Sequence, residues 1–126
     1  ISSARVREAT RRPAHVFYSE FEHINAAIGA MDADVISIEA ARSRMELLGA
    51  LAAYLYPAEI GPGVYDVHSP RVPSVEEMVD LLRAASKAIS PDALWVNPDC
   101  GLKTRKWPET KAALLNMVAT AHYMRP

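Results

Sequence analysis

Short β-prone runs alternate with helix-forming stretches along the chain, and this alternation constrains the fold more than any other feature. The β-prone runs lie at Ala14–Tyr18, Val35–Ile38, Val64–Val67 and Leu94–Asn97. Strands that are separated by helices pair in parallel, with right-handed crossovers between them. The order of the elements therefore predicts an α/β fold of four consecutive βα units.

Each helix-forming stretch carries apolar residues at helical spacing. Helices are predicted over Glu20–Met31, over Arg42–Leu55, from Ser74 until Pro91 ends the helix, and from Pro108 onward. Ser74 and Glu77 have the spacing of a capping box, which satisfies two backbone N–H groups at a helix start. The residues expected to face the core are Met78, Leu81, Leu82 and Ala85 in the third helix, and Ala112, Leu115 and Val118 or Ala119 in the last.

The length of the chain limits the size of the fold. A complete eightfold barrel takes about 250 residues, and this chain has 126. Four βα units are therefore about half of a barrel. A small open α/β sheet and two half-barrels that close as a dimer are the alternatives. In each case the length predicts a single domain over residues 1–126.

Composition excludes several classes of protein. The net charge is −1, so no basic footprint for nucleic acid is present. The longest apolar stretch, Leu47–Tyr56, is too short to cross a bilayer, which takes about 20 residues. Cys100 is the single cysteine, which excludes an internal disulfide. We therefore expect a cytoplasmic protein with neither a nucleic acid nor a membrane as partner.

Residues with metal-binding side chains follow the predicted strands. His15 lies in the first run, Glu39 follows the second, His68 follows the third and Cys100 follows the fourth. Function in parallel α/β folds sits at the carboxyl ends of the strands, and zinc prefers nitrogen, oxygen and thiolate ligands. From spacing alone two interpretations remain open. One is a zinc site; in the other, Cys100 is a small buried residue and Glu39 pairs with a nearby arginine.

Four segments together resemble the C-terminal catalytic domain of cobalamin-independent methionine synthase. They read HVFYSEFE from His15, DVISIEAARSR from Asp34, IGPGVYDVHSPRVPSV from Ile60 and LWVNPDCGLKTRK from Leu94. The resemblance runs in order from about Pro13 to Arg125. It implies that residues 1–126 are a partial C-terminal (βα)8 methyltransferase domain, the last half of a TIM-type barrel.

The resemblance also implies a reaction. The family moves a methyl group from N5 of methyltetrahydrofolate, in its polyglutamate form, to the sulfur of homocysteine, which gives methionine. A zinc ion keeps that sulfur a thiolate. Carried over residue by residue, the zinc ligands fall on His15, Glu39 and Cys100, and the proton-donating histidine falls on His68. An imidazole suits a general acid at neutral pH. The residues that bind the amino and carboxyl groups of homocysteine in the family, and most of its folate contacts, lie upstream of the matching segments, so no residue here is assigned those roles.

One position departs from the family pattern, because Phe17 stands where the first zinc cysteine falls. Three protein ligands remain, a known catalytic arrangement, but the lost thiolate predicts weaker zinc binding. Two hypotheses follow: a partial or degenerate zinc methyltransferase, or a non-catalytic half-barrel module that has lost zinc. Because four strands cannot close on themselves, we expect a homo-oligomer or a partner that supplies the upstream half of the barrel.

Overall fold

A parallel β-sheet lies at the centre of the described structure. The structure is a computed structural model; it describes residues 32–41, 48 and 58–125, and the backbone of residues 13–16. The strands are β1 (Pro13–Val16), β2 (Val35–Ile38) and β3 (Glu59–Pro62). They pair in parallel in the order β1-β2-β3. The predicted α/β class is confirmed.

A fourth segment, Leu94–Asn97, runs parallel to β3 but joins it only through isolated bridges. Ile60 bridges Leu94, and Gly63 bridges Asn97. The Trp95 N–H donates to the Ile60 carbonyl at 2.8 Å. The predicted fourth strand is thus a sheet neighbour rather than a regular strand.

The full set of four βα units is not confirmed. The helix predicted over Glu20–Met31 lies outside the described residues, as does most of the helix predicted over Arg42–Leu55. Leu48, within the second of these ranges, is helical and completely buried, as its place in the apolar stripe predicts.

The prediction of the third strand at Val64–Val67 was wrong, since β3 lies earlier in the chain. Because the sequence Gly61-Pro62-Gly63 is typical of a turn, the third strand was predicted to begin after it. In the structure, a Cβ at Gly61 would overlap the Asn97 side chain, and one at Gly63 would overlap Asp99. These glycines allow the neighbouring segment to approach β3 closely, a requirement that short-range patterns do not reveal.

Among residues 58–125, the structure has two α-helices, α1 (Val75–Ala85) and α2 (Trp107–Met124), with 3-10 turns at Pro91–Ala93 and Leu102–Thr104. The predicted capping box is confirmed: the Ser74 hydroxyl accepts from the Glu77 N–H at 3.2 Å, and the Glu77 carboxylate accepts from the Ser74 N–H at 2.7 Å. No helix in the described part of the chain is long and apolar enough to span a bilayer.

Helix α1 ends earlier than predicted. Its C-cap is Ser86, well before Pro91. The Ser86 hydroxyl donates to the Arg83 carbonyl at 2.7 Å. A serine side chain that bonds nearby backbone competes with helix continuation, so the chain turns before it meets the proline.

The core lies between the sheet and the helices. Its fully buried members from the strands and α1 are Ile36, Ile38, Ile60, Met78, Leu82 and Ala85. The three from α1 were predicted, and Leu81 is partly buried against the same core.

The buried face of α2 differs from the predicted one. Ala113, Met117 and Thr120 are buried, whereas Leu115 is 61% and Val118 is 55% exposed. Ala112 and Ala119 are also exposed. Apolar residues occur around most of this helix, so periodicity alone does not select a face. Packing against α1 selects it, with the Thr120 hydroxyl 3.6 Å from the Met78 sulfur.

Candidate metal centre

Three metal-binding side chains meet at the carboxyl end of the sheet. Glu39, His68 and Cys100 each offer one ligand atom, and these atoms all lie within 4.8 Å of one another. Glu39 follows β2, His68 lies in the loop after β3, and Cys100 follows the Leu94–Asn97 segment. Three consecutive sheet segments thus deliver a carboxylate, an imidazole and a thiol to one point.

The loop after β3 holds His68 through a local turn. The Asp66 carboxylate accepts from the His68 N–H at 3.0 Å, and the Asp66 carbonyl accepts from the Ser69 N–H at 3.1 Å. The His68 side chain is exposed, while Glu39 and Cys100 are half-buried. The imidazole is therefore the member of the cluster that solvent or a ligand reaches most readily.

Three carboxylates lie near the Cys100 thiol. Burial raises the pKa of the Cys100 thiol, and the nearby carboxylates of Glu39, Asp99 and Asp66 raise it further. Burial also raises the pKa of Asp99 to about 6, although hydrogen bonds from Ala41 and Ala40 oppose the shift. A bound cation would relieve this concentration of negative charge and favour the thiolate.

The donor set fits zinc. Zinc is bound in proteins by histidine nitrogen, carboxylate oxygen and cysteine sulfur, and each type is present once in the cluster. A hard cation such as magnesium or calcium would favour an all-oxygen set. The thiol and the imidazole therefore indicate a borderline-soft metal.

The structure brings together three of the four predicted site residues. The fourth, His15, lies in β1, whose backbone pairs it with Ser37 of β2, and Glu39 follows two residues later. The His15 side chain and all of Phe17 lie outside the described residues.

Asp99, next to Cys100 in the sequence, is not among the predicted site residues. In the structure, Asp99 is completely buried and accepts hydrogen bonds from the N–H groups of Ala40 and Ala41. The available signal was a charged residue shortly after the β-prone run Leu94–Asn97. The hydrogen bonds from Ala40 and Ala41 could not be predicted, because these residues lie far from Asp99 in the sequence.

Comparison with known proteins finds a matching family model and similar curated sequences. The family model described as the catalytic domain of cobalamin-independent synthase matches residues 1–123. A 5-methyltetrahydropteroyltriglutamate–homocysteine methyltransferase from Caulobacter vibrioides is 64% identical over 99% of this chain, and one from Syntrophotalea carbinolica is 62% identical over the same share. The chain spans 16% of the length of each of these relatives.

A solved structure is also similar. It is that of a B12-independent methionine synthase from a Shewanella species in complex with selenomethionine. The match has a TM-score of 0.74 and 26% sequence identity, and covers 86% of this chain and 31% of that chain.

Proposed function

The chain belongs to the family of cobalamin-independent synthase catalytic domains, and we propose its function on that basis. In this proposal the chain contributes the metal-binding and proton-donating part of a site that transfers a methyl group from 5-methyltetrahydrofolate to homocysteine, giving methionine. Two proposed ligands, Glu39 and Cys100, meet the proposed proton donor, His68, with their ligand atoms within 4.8 Å of one another, and this convergence carries the proposal. The reaction in the names of the curated relatives supports it.

The proposed metal ligands are His15, Glu39 and Cys100. Three protein ligands are the usual number in catalytic zinc sites, where a further position is left for substrate. A bound zinc ion would supply a Lewis acid that favours the thiolate form of the homocysteine sulfur. Glu39 and Cys100 are half-buried, which limits the competition of water for the metal. Phe17 provides no ligand atom, so the affinity is expected to be lower than that of a four-ligand site.

The proposed proton donor is His68. In the transfer, the methyl carbon exchanges its bond to the folate N5 for a bond to the homocysteine sulfur. N5 takes up a proton as it leaves, and an imidazolium can supply it. The exposed position of His68 and the hydrogen bond that ties its backbone to Asp66 support this role.

We further propose that residues 1–126 form a single domain, half of a (βα)8 barrel. The parallel order β1-β2-β3, with Leu94–Asn97 alongside β3, supports this architecture. So does a cluster at the carboxyl ends of the strands, the face on which barrel enzymes carry their sites. The other half, with the substrate contacts, would come from an upstream barrel segment or a second copy. A reduced thiol at Cys100 fits the cytoplasmic setting expected from the sequence.

Zinc content per chain tests the proposal. After dialysis against metal-limited buffer, the wild-type chain is expected to retain about one zinc ion, since the ligand set is that of a single zinc site. Glu39→Gln and Cys100→Ser are expected to lose most of it. Glu76→Gln is the matched control, because it removes an exposed carboxylate from α1.

A wild-type chain without zinc would overturn the enzymatic proposal. The second candidate function would then stand: a non-catalytic half-barrel module that has lost zinc binding. The observation that favours it is Phe17, which replaces a ligand cysteine of the family pattern.

A further inference from the structure

We propose that Asp99 is a positioning residue, whose buried carboxylate fixes the distance between the loops that carry Glu39 and Cys100. The inference rests on the proposed function, because it takes Glu39 and Cys100 as metal ligands.

One carboxylate oxygen of Asp99 joins two distant parts of the chain. It accepts from the Ala40 N–H and from the Ala41 N–H, each at 3.0 Å. These two amides directly follow Glu39, and Asp99 directly precedes Cys100. A single side chain thus connects the backbone next to one proposed ligand with the backbone next to another.

The backbone of Asp99 ties in the third loop. Its N–H donates to the Tyr65 carbonyl at 2.9 Å, in the segment that leads to His68. Its carboxylate occupies the space beside the α-carbon of Gly63, where any side chain would collide with it. Asp99 therefore lies in the loop that carries Cys100 and contacts both of the other segments that deliver the cluster.

The buried carboxylate of Asp99 is unfavourable for the stability of the fold. Asp99 is completely buried, and its second carboxylate oxygen has no hydrogen-bond partner in the described structure. Burial of a carboxylate with an unsatisfied oxygen is unfavourable. An apolar residue would be the simpler choice if this position served only to fill the core.

Asp99 acts through the backbone rather than as a ligand itself. Its bonded oxygen is already shared by two amides, and it is absent from the group of side chains whose ligand atoms converge. Asp99 therefore contacts the backbone that carries the proposed ligands rather than a metal ion. Through these backbone contacts it sets the distance between the ligand atoms.

Cobalt binding measures this role without any enzymatic activity. Co²⁺ replaces zinc in nitrogen–oxygen–sulfur sites and shows a thiolate-to-metal absorption band when a cysteine binds it. Asp99→Ala frees both amides and is expected to weaken Co²⁺ binding by about tenfold or more, as loss of outer partners commonly does. Asp99→Asn keeps a carbonyl oxygen that can accept from both amides. We expect it to restore affinity to within about twofold of wild type, with the same thiolate band.

The control is Met78→Ala, which truncates a buried side chain of α1 that packs against Thr120 of α2. It lowers stability and is expected to leave the Co²⁺ affinity unchanged. Should Asp99→Ala fail to show a cooperative melt, Asp99→Ser carries the same expectation, because its shorter side chain cannot serve both amides.

Three results would overturn the inference while the metal site stands. They are wild-type affinity in the folded Asp99→Ala or Asp99→Ser chain, an equal loss in Met78→Ala, and a loss in Asp99→Asn as large as in Asp99→Ala. A wild-type chain that binds no Co²⁺ would overturn the proposed metal site together with the inference.

Discussion

The carboxylate of Asp99 packs against the α-carbon of Gly63, in the space that a side chain at position 63 would occupy. The contact lies beside the bridge that joins Gly63 to Asn97. Close approach of two backbone segments, rather than a turn, therefore requires the glycine. The same approach sets Cys100 near the end of β3.

Gly63→Ala is expected to destabilise the protein by about 1–3 kcal/mol, the usual cost of overpacking. The added methyl group would meet the Asp99 backbone as well as its side chain, and backbone cannot rotate away. Urea unfolding measures the effect. Gly101→Ala is the matched control, since its Cβ would meet nothing within 4 Å and should change stability by less than about 0.5 kcal/mol. Equal losses in the two variants would contradict the prediction.

Ser74→Ala is expected to cost about 1 kcal/mol, because it removes the hydroxyl that caps the start of α1. Thermal or urea unfolding gives the value. Ser90→Ala provides the comparison, since Ser90 precedes the 3-10 turn at Pro91–Ala93 without a side-chain cap bond. A Ser74→Ala chain as stable as Ser90→Ala would show that the capping box contributes nothing.

The carboxylate of Glu77 should make stability depend on pH. The hydrogen bond from the Ser74 backbone, followed by that from the Arg71 side chain, holds the pKa of Glu77 below its ordinary value. A carboxylate whose pKa is lowered on folding stabilises the protein above the pKa of the unfolded chain, about 4.3 for glutamate. That contribution is lost as the pH falls through the folded-state pKa.

The difference in unfolding free energy between wild type and Glu77→Gln should therefore be constant above about pH 5.5 and shrink below about pH 4.3. The exposed surroundings of Glu77 keep the effect small. Glu76→Gln removes the same charge from the same turn without touching Ser74 or Arg71. A difference that stays constant from pH 7 to pH 3 would refute the assigned cause.

Phe17→Cys is expected to raise zinc affinity, because it adds a thiolate two residues from His15, where the family pattern has its first zinc cysteine. Zinc retained after dialysis against a series of chelator concentrations measures the gain. Val16→Cys is the control, since it adds a thiol at the neighbouring position, where the family pattern has no ligand. Equal zinc retention in Phe17→Cys and wild type would count against the proposed ligand set.

The isolated chain is expected to associate. The four sheet segments of the described structure leave edges without a neighbouring strand, and a closed barrel with a filled interior takes about eight strands. Light scattering after gel filtration should give a mass above the 13.8 kDa of one chain. The interface should bury more than about 1,600 Å². A stable monomer at micromolar concentration with a cooperative melt would instead indicate an open sheet covered on both faces.

Local signals in the sequence determined the α/β class, the start of α1 and the family. Alternating runs select parallel strands, and Ser74 with Glu77 satisfies N–H groups only a few residues away. The segments around His68 and Cys100 identify the family because their residue order is itself the signal. None of these inferences needs a distant part of the chain.

Only the tertiary structure decided where β3 lies, which face of α2 is buried, and what Asp99 does. Gly61 and Gly63 resemble a turn until Asn97 and Asp99 are placed beside them. The bonds from Ala40 and Ala41 to Asp99 join residues almost sixty positions apart. Such contacts form because packing brings separate backbone segments together, and no short-range pattern of residue types encodes that approach.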